Sequence, residues 1–357
     1  MRSIFFTILF LISYFNYSQI KTPRVSPASA IEQMVGLTEI EVQYSRPSKR
    51  GRDIFGNVVP FGKIWRTGAD NCTTINFSTD VVIDSQTIQS GKYSIFSIPN
   101  KQSWDIILYS DIDLWGVPRD WDGDKIVFKS TYKTNKPDIN SIDETFTISF
   151  LNITNNDADM KFSWDGLSVT VNIIVPTKKI VSDNILNKLT LPLFIKPNSG
   201  GSSFGISRVT EKKDIIKALE ICFKEDDKAL IEEEIKGREI SVGVINLKDT
   251  ITPLPPTEII SHNDFFDYDA KYNGESDEIT PADIKIELEN RVKEISLDIY
   301  KKLNLKGFSR CDFILRDNKF YFLEVNTNPG LTEESILPQM AKAGGISLRD
   351  LFRSVID

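Results

Sequence analysis

The hydrophobic period changes once along this chain, and that change constrains the fold more than any other feature. Over residues 40–175 apolar side chains recur at every second position. Ile40, Val42 and Tyr44 alternate with Glu41 and Gln43; Phe146, Ile148 and Phe150 alternate with Thr145, Thr147 and Ser149. Met160, Phe162 and Trp164 follow, and then Leu167, Val169, Val171 and Ile173. Period two gives a strand one apolar and one polar face. Turn signals at Gly56-Asn57, Ser90-Gly91, Pro99-Asn100, Asn155-Asn156-Asp157 and Asp165-Gly166 separate the runs. Short strands at this spacing, without helical runs, predict an antiparallel β-sandwich or barrel over 23–177.

Beyond Pro176 the pattern alternates between strand and helix, with 178–190 read as a linker and 191–357 as an α+β domain. Strands are expected at 191–196, 229–233, 239–247, 307–315 and 320–325. A helix is expected over 211–223 behind Thr210. A longer one is expected over 280–303, with Thr280 as N-cap and Pro281 at the first helical position. The last closing helix begins behind Ser347.

Composition narrows the chemistry. Forty-three Lys and Arg against 50 Asp and Glu give a formal charge of −7, which argues against a nucleic-acid binder. A single histidine, His262, removes most triad and zinc-hydrolase chemistry. Cys72, Cys222 and Cys311 show no metal-type spacing and read as small buried hydrophobes. Residues 1–19 combine a basic start, an apolar core and a polar exit, the pattern of a secretory signal peptide. No later run is apolar for long enough to cross a bilayer, and no stable membrane anchor is expected.

Four stretches of the second half carry polar chemistry. Lys196 leads into 197–205, a glycine- and serine-rich loop containing Ser202 and Ser203, where backbone N–H groups can approach phosphate oxygens. It is neither a Walker A loop nor a dinucleotide fingerprint, and a plain surface loop is an equal reading. Arg310 and Asp312 share a strand face, as do Glu324 and Asn326 on the next strand. A hairpin centred between Asp317 and Asn318 would set Asp312 opposite Leu323. One centred on Asn318 would set Asp312 opposite Glu324 and Arg310 opposite Asn326. The second register gathers two carboxylates and an amide oxygen, a hard-oxygen set suited to magnesium; the alternative is a solvated hairpin face. The run 232–239, with Glu232, Glu234, Ile235 and Glu239, and the run 267–272, with Lys271 and Tyr272, would alone read as surface loops.

In this order and spacing the four stretches resemble the C-terminal part of the D-alanine–D-alanine ligase family, an ATP-grasp fold, from about residue 187 to the end. Glu324-Val325-Asn326-Thr327-Asn328-Pro329-Gly330-Leu331-Thr332, followed by Ser335, is the most specific match. The resemblance implies that Lys196, Ser202 and Ser203 hold ATP phosphates. It implies that Glu232, the backbone near Glu234 and Ile235, and Glu239 hold adenosine. Lys271 would bind the γ-phosphate, with Tyr272 beside it on a lid. Asp312, Glu324 and Asn326 would coordinate two magnesium ions, or manganese in their place. Arg310 and the Gly330 backbone would stabilise the acyl-transfer centre, and Ser335 would hold a D-alanine carboxylate. The implied reaction phosphorylates one D-alanine and lets the amine of a second attack the acyl phosphate, a step of peptidoglycan precursor synthesis. The family also implies a homodimer. Its glycine-rich substrate domain and the first strands of its ATP-binding lobe have no counterpart here, because the β-rich half stands in their place.

The first half, through Tyr44-Ser45-Arg46-Pro47, 51–56, 59–62, 64–69 and 91–95, resembles an uncharacterised family of exported bacterial β-proteins, domain of unknown function 2911. Arg46, Arg50, Arg52, Lys63 and Arg66 lie near Tyr44, Phe55, Phe61 and Trp65, either as an anion or glycan site or as arginines packed on aromatics. The signal peptide implies export, whereas a ligase implies cytoplasmic ATP. Three readings stay open: a ligase, inactive if the missing substrate domain is essential; an exported binding module with a non-catalytic ATP-grasp remnant; and an artificial join of two genes.

Overall fold

The computed structural model describes residues 22–135, 142–199, 204–247, 249–261 and 276–356. The proposed signal peptide, Ser202, Ser203, His262, Lys271 and Tyr272 lie outside the described residues. The chain divides into two compact units, 1–183 and 184–357.

The first unit contains β1 (Ala28–Val35), β2 (Thr38–Ser45), β3 (Thr73–Phe77), β4 (Val81–Ile83), β5 (Gln86–Ile88), β6 (Gly91–Pro99), β7 (Ser103–Tyr109), β8 (Ile126–Lys133), β9 (Thr147–Leu151), β10 (Asp157–Trp164) and β11 (Leu167–Ile174). They form two antiparallel sheets, ordered β1-β2-β3-β6-β7-β8 and β5-β4-β11-β10-β9. The alternating apolar positions supply the core: Ile40, Val42, Phe146, Ile148, Met160, Phe162, Val169, Val171 and Ile173 are all buried. Phe55, Trp65, Trp104, Phe146 and Trp164 pack as one aromatic cluster, with Trp65 stacked on Trp164 at 5.9 Å between ring centres. This is a sandwich, not a closed barrel.

Most of the expected linker, 178–190, is helical: helix α1 spans Thr177–Leu186. Pro176 precedes it, where a missing N–H costs nothing, and its carbonyl accepts from Ile180 N at 2.9 Å.

The second unit has a three-stranded sheet in the order β13 (Ser207–Val209), β12 (Leu193–Pro197), β14 (Ala229–Glu233), with α2 (Ile215–Cys222) beside it. A larger sheet follows, ordered β18 (Ser276–Ile279), β17 (Thr257–Ser261), β15 (Arg238–Leu247), β19 (Phe308–Arg316), β20 (Lys319–Asn326), with β16 (Thr250–Pro253) pairing β15. One face carries Ile240, Val242, Cys311 and Phe313 and is covered by α3 (Ile286–Lys302) through Val292, Leu288 and Ile295. Against part of the other face lie α4 (Ile336–Ala343) and α5 (Leu348–Ile356), through Leu337, Met340 and Leu351.

Two expected helix starts are displaced. The long helix begins at Ile286 rather than at Thr280. Thr280 Oγ1 instead shares a 2.5 Å hydrogen bond with Thr257 Oγ1, Ala282 N donates to Pro256 O, and Asp283 O accepts from Arg238 Nη2. Tertiary hydrogen bonds hold 280–283 in a bent, non-helical segment against local capping chemistry. Likewise 212–214 form a single 3₁₀ turn before α2, and Thr210 caps nothing. Ser347 does cap its helix, accepting from Asp350 N at 3.2 Å.

The three cysteines are free and buried, as their spacing suggested. Burial pushes the Cys311 thiol up to about 12 and raises those of Cys72 and Cys222. All three therefore stay protonated and inaccessible near neutrality. The native protein is expected to consume no Ellman reagent at pH 8, and the chain unfolded in guanidinium to consume three equivalents. Rapid reaction of the native protein would contradict these cores.

Candidate functional site

The site begins with a two-residue turn. Asp317 and Asn318 both have positive φ, 51° and 59°, the left-handed pair that closes a tight hairpin and that Asn and Asp tolerate. This turn pairs Arg316 with Lys319 and Phe313 with Phe322. Continued unchanged, the register would place Asp312 opposite Leu323. A bulge between Asp312 and Phe313 leaves Leu323 as the extra residue, so Asp312 faces Glu324 and Arg310 faces Asn326. Each register considered from sequence therefore holds over part of the hairpin, and the bulge converts one into the other.

The same face continues into β15, where Ser241 is paired with Asp312 and Gly243 with Arg310, and Glu239 lies two residues earlier. Through β17 it reaches Glu278 on β18, opposite Ile259. Glu278, Glu239, Ser241, Asp312, Arg310, Glu324 and Asn326 thus occupy one side of four strands.

Asp312 is the centre of this face. It is only 4% exposed, and its carboxylate meets four donors. Oδ1 accepts from Arg310 Nε at 2.8 Å and Ser241 Oγ at 2.6 Å; Oδ2 accepts from Arg310 Nη2 at 2.9 Å and Asn326 Nδ2 at 2.8 Å. Burial works against the charge on Arg310. Asp312 outweighs it, with Glu324 and Glu239 adding to the effect, so the guanidinium is held more firmly protonated than usual. Burial raises the Glu278 carboxyl, opposed by a 2.7 Å hydrogen bond from Gln339 Nε2 and by the charge of Arg310.

Helix α4 brings two more expected residues together. Ser335 stands at its N-cap position, and Ser335 N donates to Thr332 O at 2.9 Å. A Cβ on Gly330 would stand 2.8 Å from Ser335 Oγ, so the two residues touch. The helix lies close on the sheet because Gly243 has no side chain: a Cβ there would meet Leu337 Cδ1 at 2.5 Å.

On the smaller sheet, Lys196 Nζ donates to Glu232 Oε1 at 2.6 Å across β12 and β14. Arg208 forms a two-pronged pair with Glu234, at 2.8 and 2.9 Å, which holds the Glu234 carboxyl below its usual range. Glu234 N is spent on Pro192 O, and Ile235 is half-buried just beyond β14. Consecutive acids that read as surface charge are thus individually partnered, Glu233 by the Thr190 backbone and hydroxyl.

The donor set can be tested against a divalent cation. Among the described residues no three His, Cys, Asp or Glu side chains form a cluster, so the third oxygen beside Asp312 and Glu324 would be the Asn326 amide. Two carboxylates and an amide suit magnesium or manganese. The four lone-pair positions of Asp312 are all in use, so an ion would replace one of its donors there. The residues fit such an ion on that condition. Sequence reasoning missed Ser241, Glu278 and Gln339. Ser241 stands in an apolar run, and only the pairing of β15 with β19 aims it at Asp312.

Removing the guanidinium should leave a nearly buried carboxylate without its counter-charge. Arg310→Met is expected to lower unfolding stability in urea by about 3–5 kcal/mol. Ser241→Ala, which removes one hydrogen bond to a charged group, should cost about 1.5–3 kcal/mol. The opposite order would contradict the view that the pair, rather than the hydroxyl, holds Asp312.

Comparison with known proteins places these observations. A sequence profile for the C-terminus of D-ala D-ala ligase matches residues 167–357, starting within β11, and a profile for a protein family of unknown function, DUF2911, matches 26–173. A D-alanine–D-alanine ligase of Flavobacterium johnsoniae is 54% identical over 179 residues, covering 50% of this chain and 55% of that protein. One from Christiangramia forsetii is 49% identical over 193 residues, covering 54% and 59%. Among solved structures, the VanG D-Ala:D-Ser ligase of Enterococcus faecalis aligns at 38% identity with a TM-score of 0.45, covering 50% of this chain and 52% of that one. A Bacillus anthracis D-alanine–D-alanine ligase complexed with ATP aligns at 34% identity and 0.39, covering 48% and 51%. The chain spans a little over half the length of these curated relatives. With a sheet-rich first unit and an ATP-grasp-like second unit, the chain belongs, through more than half of its length, to the D-alanine–D-alanine ligase C-terminal family.

Proposed function

We propose that the second unit is an ATP- and magnesium-dependent carboxylate–amine ligase site that takes D-alanine. The observation that carries this reading is the gathering of Arg310, Asp312, Glu324 and Asn326 on one face, with Gly330 and Ser335 in contact at the start of α4. Glu324, the Asn326 amide oxygen and Asp312 would hold the metal, which when bound neutralises phosphate charge and polarises a phosphoryl oxygen. Lys196, paired with Glu232, would exchange that carboxylate for phosphate oxygens, with Ser202 and Ser203 in the same loop. Glu232, Glu239 and the backbone at Glu234 and Ile235 would bound the adenosine. Lys271 would reach the γ-phosphate, with Tyr272 beside it. Arg310, almost enclosed and firmly protonated, would stabilise charge on the oxygen of the attacked acyl phosphate. Ser335 Oγ would orient the carboxylate of the D-alanine whose amine attacks. Peptidoglycan precursor synthesis would use such a product.

A second reading, nucleotide binding without ligase turnover, draws support from the length covered. The chain matches little more than half of its relatives, and a β-sandwich precedes the matched part. On this reading the chain is an exported module, the localisation its first residues imply.

Calorimetry with ATP and magnesium on the full chain separates these from a fortuitous charge cluster. Micromolar-to-millimolar binding is expected, weakened about tenfold or more by Asp312→Ala and by Glu324→Ala. Phosphate release that requires D-alanine would then establish the ligase, and binding without it the second reading. No magnesium-dependent ATP binding would overturn both.

A further inference from the structure

The outer face of the first sheet of the sandwich carries a groove that the ligase site does not use. Because Ile40, Val42 and Tyr44 point inward, Gln43 and Ser45 point outward, and the register adds Ala28 and Ala30 from β1 and Thr74 from β3. These mostly small side chains, with Gln43 the exception, line one side of a cavity of about 670 Å³. Residues 112–115 form a wall over it. That wall is anchored: Leu114 packs with Phe96, Ile107 and Tyr109, Cys72 N donates to Leu114 O at 3.0 Å, and Cys72 Sγ donates to Gly116 O at 2.9 Å.

Between those anchors stands Trp115, which lines the groove and is 75% exposed. Such exposure is unusual for the largest side chain, and here it is a held position rather than a loose end. The Arg66 guanidinium carbon lies 5.1 Å from the ring centre, and Arg66 Nη1 is tied to Asp70 O at 2.8 Å. Gly116, at φ +86°, lets the backbone turn beside that guanidinium, where a Cβ would come 3.3 Å from Nη1. Arg24, Asn71, Lys92 and Asp113 also line the groove, and among the described residues their side chains form no hydrogen bond or ion pair.

We propose that this groove binds a short oligosaccharide, one sugar ring resting on the Trp115 indole. A pyranose has an apolar face of C–H groups and a rim of hydroxyls that both donate and accept. The groove offers one flat aromatic surface, donors in Arg24 and Lys92, an acceptor in Asp113, and both in Asn71. A polyanion such as nucleic acid fits poorly, because Asp113 stands among the cations and the groove is small. Of the basic residues noted earlier, Arg66 reaches this groove through Trp115, whereas Arg46, Arg50, Arg52 and Lys63 do not line it. Arg46 is spent on Phe146 O, Thr145 and Thr147, and Arg52 on Ser48 O and Lys49 O.

The full chain is to be screened on an array of neutral and acidic oligosaccharides of two to six sugars, and the retained ones titrated by calorimetry. Trp115→Ala is expected to weaken binding about tenfold or more, while Trp115→Phe stays within about threefold of the parent. Both variants should keep the parent circular dichroism spectrum and melting curve, since the side chain is exposed. An array that retains nothing, or a Trp115→Ala variant that binds like the parent, would overturn the assignment.

Discussion

A carboxylate enclosed by protein is tolerable only if donors replace the water it has lost, and Asp312 is such a carboxylate. Its four hydrogen bonds come from three strands: Arg310 on its own strand, Asn326 on β20 and Ser241 on β15. No two of these strands could slip by one residue without turning a donor to the opposite face. The polar side of the large sheet therefore depends on this one group being satisfied, and the apolar side, with Cys311 and Phe313 against α3, depends on the same register.

The bulge at Leu323 resolves a conflict between local and tertiary demands. Asp317 and Asn318 favour a tight two-residue turn, which fixes the end of the hairpin near Phe313 and Phe322. The charged residues require the neighbouring register. One extra residue satisfies both, which is a common use of bulges beside functional positions. The shift also sets Glu324 on the face of Asp312 and Arg310, where a single like charge is balanced by the guanidinium.

Much of this was legible in the sequence because it rests on short-range pattern. Period two in Ile40, Val42 and Tyr44, and in Met160, Phe162 and Trp164, marks strands whose inward residues are buried. Arg310, Asp312, Glu324 and Asn326 could be placed on common strand faces by counting alone. What could not be read depends on contacts between distant segments. Thr280-Pro281 has the chemistry of a helix start, yet Thr257 and Pro256 hold this segment out of the helix. Ser241 has no polar pattern around it, and its role appears only once β15 is set beside β19. Glu278 and Gln339, 61 positions apart, meet through the packing of α4. Lys271, Tyr272, Ser202 and Ser203 rest on family resemblance alone, since they fall outside the described residues. In the first half, the arginines beside aromatics read either as a site or as packing, and most are spent on backbone carbonyls and hydroxyls. The exposed tryptophan that does line a groove stands in a different loop.

The central claim is that the hairpin register gathers Asp312, Glu324 and Asn326 into one cation-binding face. Anomalous diffraction from crystals of the full chain grown with manganese and a non-hydrolysable ATP analogue tests it directly. The account predicts a manganese peak within coordination distance of Glu324 and Asn326, with Asp312 having given up at least one of its present donors to the ion. A map without such a peak, with Asp312 still bound to Arg310, Ser241 and Asn326 while the nucleotide is present, would contradict it.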